Sequence, residues 1–451
     1  MPADPLAGEK YHLLGIAGRG MAPVAIAAQF LGAEVTGCDL KAREDSQRYL
    51  TGAGIAIEPG HSVDHVRPGE TVVATSVASS DEPELLVAQE RGQVWHRTDL
   101  LARVLRGRPG AGITGSHGKG TVTALTAAAL DEAGLDPLAI IGVPVPELGG
   151  ITRLGAGPTV AEVDDSDLTL RGVVTDVAAV TNLDEDHPHL AIPLRRVTEA
   201  VGEFVSRARR TVVLGPSPRA AQLETYATAE VWRYGRDFAA RTLEAGGGHT
   251  RVSLRGPGGV REEATLRLLG PQTAQNAAVA FATALALGAD PAAAAAGLGR
   301  VDRIVRRMEP VGSHNGVRVF DDFGGKHPIN VRLGLATLRR HFPDSRITAV
   351  FEPYGPYLSQ WGYRYAKALG GADHVVFAPP VYLAYYDEGR RVGPEWMHSC
   401  QTSWEFAEGR GAAVSAAERS SRPGDLIVFF VQLHQGAVMA QAAATGVPVI
   451  E

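Results

Sequence analysis

The residues AGITGSHGKGTVTALTAAAL, at positions 111–130, decide how the rest of the chain is read. Ala111 to Thr114 is a short apolar strand run, Gly115 to Gly118 brackets a turn, and an Ala-rich helical run starts at Lys119. Gly115 and Gly118 let the backbone bend sharply, so that successive amide N–H groups face one concavity. The helix start adds unpaired N–H groups and the positive end of its dipole. Lys119 puts a compact positive charge where the outer phosphates of a nucleotide would lie. The same pattern could be an ordinary strand–turn–helix, but the apolar strand before it and the helix after it favour a phosphate cradle. Its candidate residues are Gly115, Ser116, His117, Gly118, Lys119, Gly120 and Thr121, with Lys119 read as an exposed loop side chain. Loops of this kind place Thr or Ser directly after the lysine, where the hydroxyl binds Mg²⁺. Here Gly120 stands there, and the hydroxyl comes one residue later, on Thr121.

Upstream, Tyr11–Ile16 reads as a buried strand entering the glycine turn GIAGRGM. A helix over Ala22–Leu31 and a second strand over Ala33–Gly37, leading to Asp39, follow. Strand, glycine turn, helix, strand and acid open a doubly wound parallel sheet. Gly15, Gly18 and Gly20 depart from the usual dinucleotide spacing, so a polar ligand at this turn is expected without a cofactor being specified. Asp39 could accept hydrogen bonds from a ligand hydroxyl or simply cap the strand. Thr71–Thr75 and the Val94 region extend the sheet, and Arg106–Gly110 reads as a linker.

Downstream, Thr159–Val163 and Val177–Thr181 are apolar strands of a second α/β unit. Ligands collect at the carboxyl ends of parallel strands. Those ends carry Asp164, Asp165 and Asp167, then Asn182, Asp184, Asp186 and His187, a pattern suited to Mg²⁺ and phosphate chemistry. The glycines at 246–248 mark a hairpin or loop insertion. Asp290-Pro291 starts a packed poly-Ala helix. Around Gly299–Pro310 the composition turns basic and a third unit begins. Val317–Phe320 delivers Asp321 and Asp322, Ile347–Phe351 delivers Glu352, and His374–Phe377 and Leu426–Val431 add further strands.

A chain of 451 residues allows two or three domains, and 45% hydrophobic with 21% charged residues suits a globular protein with ample core. The net charge of −6 comes with no basic block, so no nucleic-acid partner is expected. No apolar run reaches membrane-spanning length and no signal pattern opens the chain, so a cytoplasmic protein without a membrane partner is expected. Cys38 and Cys400, far apart in sequence, argue against a disulfide framework or a thiolate metal site.

Taken in register, these segments resemble the Mur ligase family, ATP-dependent enzymes that add amino acids to the peptidoglycan precursor. The similarity is greatest to the branch that joins L-alanine to UDP-N-acetylmuramate and to its tripeptide-recycling relative. GIAGRGM with Asp39, Gly60-His61 and ATSVASSDEPE resemble that branch's UDP-binding domain. GSHGKGT, AEVDDSD, VTNLDEDHPH, RIVRRME, VFDDFGGKHP, VFEPYGPY and PGDLIVFF follow in the family's order. The resemblance implies an α/β protein of three domains: a Rossmann-like domain over 1–107, a P-loop ATPase-like domain over 108–299 and a Rossmann-like domain over 300–451. It implies ATP and Mg²⁺, a UDP-sugar carboxylate and an amino acid as small-molecule substrates, and a monomer or homodimer. Lys119 would neutralise the outer phosphates, Thr121, Asp165 and His187 would organise Mg²⁺, and Arg306 and Asp322 would bring the third domain onto ATP. Asn276 and Arg307 would join the loop in holding the nucleotide. Gly15, Gly18, Arg19, Gly20, Met21, Asp39, His61, Ser76 and His327 would hold the other substrates.

The departures are Gly120, an Asp at position 165 where the family has Glu, and Gln272 with Thr273 for a His-Asn pair. DDFGGKHP carries an extra residue and has Lys326 in place of a histidine, and FEPY stands where the family has Phe-Gln-Pro-His. They leave open a paralogue acting on another carboxylate and amine, or a silent nucleotide-binding homologue. An NAD-dependent oxidoreductase, which the first forty residues alone would suggest, leaves Lys119 and the acidic clusters unexplained.

Overall fold

The computed structural model describes residues 5–40, 44–76, 78–185, 192–270, 272–323, 327–352, 355–378, 394–431 and 433–446. Its first sheet is wholly parallel, in the order Glu58–Pro59, Glu34–Asp39, Lys10–Leu14, Thr71–Ala74, Val94–His96. The strand order reverses beside Lys10–Leu14, so the first glycine turn opens at the switch point where doubly wound sheets bind ligands. The second strand runs two residues further than its apolar run, and Asp39 is its last residue.

The second sheet has seven strands, in the order Glu230–Arg233, Thr211–Leu214, Val177–Val180, Gly110–Thr114, Thr159–Glu162, Leu138–Val145, Gly150–Arg153. Only the last pairing is antiparallel. The helix Lys119–Glu132 leaves the central strand and is buried continuously from Val122 to Leu130. It lies between the sheet and the helices Thr273–Ala286 and Pro291–Leu298, whose alanines permit close approach. The glycines at 246–248 turn the hairpin between Ala239–Gly246 and His249–Arg255, which Arg261–Leu266 completes as a three-stranded antiparallel sheet.

The last sheet runs Glu309–His314, Val317–Asp321, Leu426–Phe430, Ile347–Phe351, His374–Phe377, Ser403–Phe406, parallel except for its first pairing.

The helix Met21–Phe30 carries no polar face, and Met21 to Ala28 are all buried. One side covers its own sheet, while the other packs on Leu138–Val145 and Gly150–Arg153 of the second sheet. Thr152 Oγ1 donates to the Pro23 carbonyl across that seam at 3.3 Å. A helix whose first eight residues are all apolar and buried is stable here because two domains share it.

Candidate active site

The phosphate loop is shaped by two glycines. Gly118 has φ +82°, and a Cβ on it would sit 2.9 Å from Asn276 Oδ1. Gly115 has φ +126°, and a Cβ there would run into Thr181 and Asn182. The neighbouring strand end grips the loop from behind. His117 N–H donates to Asn182 Oδ1 at 2.9 Å, while Asn182 Nδ2 and Thr181 Oγ1 donate to the His117 carbonyl at 2.7 and 2.6 Å. Ser116 Oγ donates to the Asp184 carbonyl at 3.0 Å. Asn182 and Asp184 therefore hold the loop's shape, and Asp184 is further tied to Arg219 at 2.6 Å.

Lys119 is not an exposed side chain, which corrects the expectation from sequence. Only 13% of it is exposed, because Nζ donates to Asp165 Oδ1 at 2.7 Å and to the Gly115 carbonyl at 2.8 Å. Burial disfavours its charge, but Asp165, Asp164 and Glu162 outweigh that and hold the ammonium above its usual range. The acidic cluster is divided among cations. Asp165 takes Lys119, and Asp164 faces Arg97 at 3.4 Å. Burial works against the Asp164 charge, but Lys119 and Arg97 keep its carboxyl below the ordinary range.

Glu162 lies within the AEVDDSD segment but is not among the residues expected at the site. It ends the strand Thr159–Glu162 and lines the cleft, and its Oε2 would lie 3.0 Å from a Cβ at Gly120. Burial raises its carboxyl, with Asp164 adding to the effect and Lys119, Arg307 and Arg97 offsetting only part. A signal for it exists, since Glu162 is the last residue of the strand that precedes the acidic cluster. A half-buried carboxylate and the Thr121 hydroxyl around one cleft are hard oxygen donors of the kind Mg²⁺ takes.

The cleft has a volume of about 460 Å³ and draws on all three α/β units. Ser116 to Thr121, Gly270, Thr273 and Asn276 line it from the second unit, Arg307, Asp322 and His327 from the third, and Arg19 from the glycine turn of the first. His327 caps the helix Pro328–His341, accepting from Ile329 N–H at 3.1 Å. Its ring meets His117 edge-on, 5.2 Å between centroids, so loop and third domain touch across the cleft.

Arg306 goes elsewhere. It has φ +61°, is 6% exposed, and clamps Asp321 at 2.7 Å and the Val431 carbonyl at 2.9 Å. Arg307, next in sequence, is the one that faces the cleft. His187 and Asp186 lie outside the described residues, as do Lys326 and Tyr354.

At the first glycine turn, Ala17 N–H donates to Asp39 Oδ2 at 3.1 Å, and Gly15 turns with φ +63°. Gly18 N–H closes the turn on the Gly15 carbonyl at 2.9 Å. Gly20 leaves room for Arg97, whose Nη1 would lie 2.5 Å from a Cβ there. Met21 is a core residue, 2% exposed. Ser76 Oγ donates to Asp167 at 2.8 Å, joining first and second domains, and His61 points into the first domain, 3.2 Å from Cys38 Sγ.

The sequence matches three family models in succession: the Mur ligase family catalytic domain over residues 10–108, the Mur ligase middle domain over 113–284, and the Mur ligase glutamate ligase domain over 306–431. The chain belongs to the Mur ligase family. Among curated relatives of this Mur ligase, the UDP-N-acetylmuramate–L-alanine ligase of Kineococcus radiotolerans is 34% identical over 440 residues, covering 93% of this chain and 92% of that one. That of Gloeobacter violaceus is 36% identical over 450 residues, covering 95% and 94%. The solved UDP-N-acetylmuramate–alanine ligase of Thermotoga maritima superposes with a TM-score of 0.80 at 23% identity, covering 96% of this chain and 98% of that one. This Mur ligase is thus an α/β enzyme of three domains, an ATP-dependent, ADP-forming ligase.

Proposed function

We propose that this Mur ligase joins L-alanine to the carboxylate of UDP-N-acetylmuramate, in the cleft where the three domains meet. The observation that carries the reading is the convergence of the phosphate loop, Arg19 of the first glycine turn, and Asp322 and His327 of the third domain on that one cleft. Relatives of that name matching over more than nine-tenths of both chains support the substrate pair. The domain divisions at 107/108 and 299/300 belong to the same proposal.

In the reaction a substrate carboxylate takes the γ-phosphoryl group of ATP, and the amine then displaces phosphate from the acyl phosphate. Such chemistry needs mainly positioning and charge neutralisation. Lys119 supplies the charge at the outer phosphates, with Asp165 fixing its aim. Asn276, Thr273 and Gly270, which line the same cleft, would hold the rest of the nucleotide. Mg²⁺ would be held by Glu162 and Thr121 and would neutralise charge across the β- and γ-phosphates. Arg307 adds positive charge from the third domain. Asp322 and His327, which line the same cleft, would serve the carboxylate and amine. Closure of the third domain on the loop keeps water from the acyl phosphate.

ADP release tests the proposal. It is expected only when UDP-N-acetylmuramate and L-alanine are both present with Mg·ATP, with the amide product seen by mass. ADP release that requires a different carboxylate or amine would overturn the substrate assignment.

A further inference from the structure

The wide spacing of the cysteines argues against a thiolate metal site, yet the first domain gathers one thiol with three other ligand side chains. His12 lies on Lys10–Leu14, Cys38 on Glu34–Asp39, His65 on the short turn Val63–His65, and Glu84 on the helix Pro83–Glu90. One ligand atom from each lies within 4.8 Å of all the others. His12, Cys38 and Glu84 are fully buried. None of the four lines the active-site cleft.

We propose that His12, Cys38, His65 and Glu84 form a tetrahedral site for a zinc-type divalent cation. Zinc–ligand distances of about 2.0–2.3 Å give tetrahedral edges of about 3.3–3.7 Å. His12 Nε2 to Cys38 Sγ is 3.4 Å, Cys38 Sγ to Glu84 Oε1 is 3.3 Å, and His65 Nδ1 to Glu84 Oε1 is 3.5 Å. Two polar atoms of the cluster, His65 Nδ1 and Glu84 Oε2, are buried without a hydrogen-bond partner among the described residues. Each such atom is costly unless something satisfies it, and a cation held on Glu84 Oε1 satisfies His65 Nδ1 directly.

The surroundings set the ligands' protonation. Thr36 Oγ1 donates to Glu70 Oε1 at 3.0 Å and stands 2.8 Å from His12 Nδ1. With its proton committed to Glu70, Thr36 accepts from His12 Nδ1–H, which leaves the lone pair on Nε2, the atom facing Cys38. A cation of charge +2 balances the Glu84 carboxylate and a Cys38 thiolate, so the buried site is neutral overall. His61 Nδ1, 3.2 Å from Cys38 Sγ and 3.3 Å from Glu84 Oε1, flanks the set as a hydrogen-bond partner. A metal here would brace the strand end that carries Asp39, whose carbonyl accepts from Gly60 N–H at 3.0 Å, just before His61.

The test uses the full chain stripped by chelator and titrated with Zn²⁺ and, separately, Co²⁺ in the absence of nucleotide. One Zn²⁺ per chain is expected, with a higher unfolding temperature, and Co²⁺ should give a thiolate-to-cobalt charge-transfer band. Cys38→Ser should abolish that band and weaken Zn²⁺ binding at least a hundredfold. His65→Ala, on a partly exposed turn and therefore compatible with folding, should weaken binding at least tenfold. No Zn²⁺ uptake, or uptake unchanged in both variants, would overturn the proposal. So would uptake lost in Glu162→Gln and retained in Cys38→Ser, which would put the ion in the active-site cleft.

Discussion

Lys119 and Gly120 show how neighbouring residues can matter for unrelated reasons. Lys119 is one partner of a buried pair and, in the proposed reaction, the charge at the outer phosphates, so Lys119→Ala removes two things. Turnover should fall by about a hundredfold or more, and stability by about 3–5 kcal/mol, because Asp165 is left buried without its cation. Thermal melting of Lys119→Ala against Lys119→Ala with Asp165→Asn checks this; the second change should recover much of the stability and none of the turnover. Gly120 is confined by geometry. A Cβ there would lie 3.0 Å from Glu162 Oε2 and 3.1 Å from Val143 Cγ2. Supplying the missing hydroxyl by Gly120→Thr alone should therefore displace Glu162 and weaken the apparent Mg²⁺ affinity. Adding Val143→Ala makes room, and the double variant should titrate with Mg²⁺ more tightly than Gly120→Thr, by roughly threefold, the equivalent of about half a kcal/mol. Equal titrations would show that Val143 is not the obstacle.

At the scale of elements, the loop after Thr159–Glu162 is a joint between domains. Asp167 Oδ2 accepts from Ser76 Oγ at 2.8 Å and faces His96 Nε2 at 3.3 Å, while Thr98 and Thr169 hydroxyls meet at 2.6 Å. Burial opposes the Asp167 charge, but His96, Thr169 and Ser76 hold its carboxyl far below the ordinary range. A depressed carboxyl stabilises the fold above its unfolded pKa, near about 3.9, and that contribution is lost as pH falls through the folded value. Asp167→Asn should cost about 1–2 kcal/mol at neutral pH. The gap in melting temperature between it and the parent should close as the pH drops below about 4. A gap that does not change with pH would mean that the carboxylate's charge is not what holds the joint.

Across the three domains, the Phe323 ring of the third meets a cation of the first. The Arg19 guanidinium lies 4.5 Å from the Phe323 ring centroid and that of Arg306 4.9 Å from it. Arg19 comes from the first domain's glycine turn, and Phe323 follows the strand that delivers Asp321 and Asp322. A desolvated contact of this kind is worth about 1–2 kcal/mol, or roughly five- to thirtyfold in an equilibrium between closed and open forms. Phe323→Ala should enlarge the radius of gyration measured by small-angle scattering without nucleotide. It should also raise the KM for ATP. An unchanged radius would mean that closure rests on other contacts.

How much was legible follows from the range of the forces involved. The three α/β units, the phosphate loop and the carboxyl strand ends are written in the order of residues alone, because glycine conformation, strand and helix periods and capping act within a few residues. Gly115, Gly118, Asp290 and the strand Ile347–Phe351 are where local rules put them. Which acid meets which cation is settled only once the chain has packed. Packing gives Asp165 to Lys119, Asp167 to Ser76 and His96, and the inner face of the cleft to Glu162. It sends Arg306 inward to Asp321 and Arg307 outward to the cleft, although the two are adjacent in sequence. It also brings His12, Cys38, His65 and Glu84 to one buried point. Electrostatic partners are chosen by distance through space, and sequence separation carries almost no information about that.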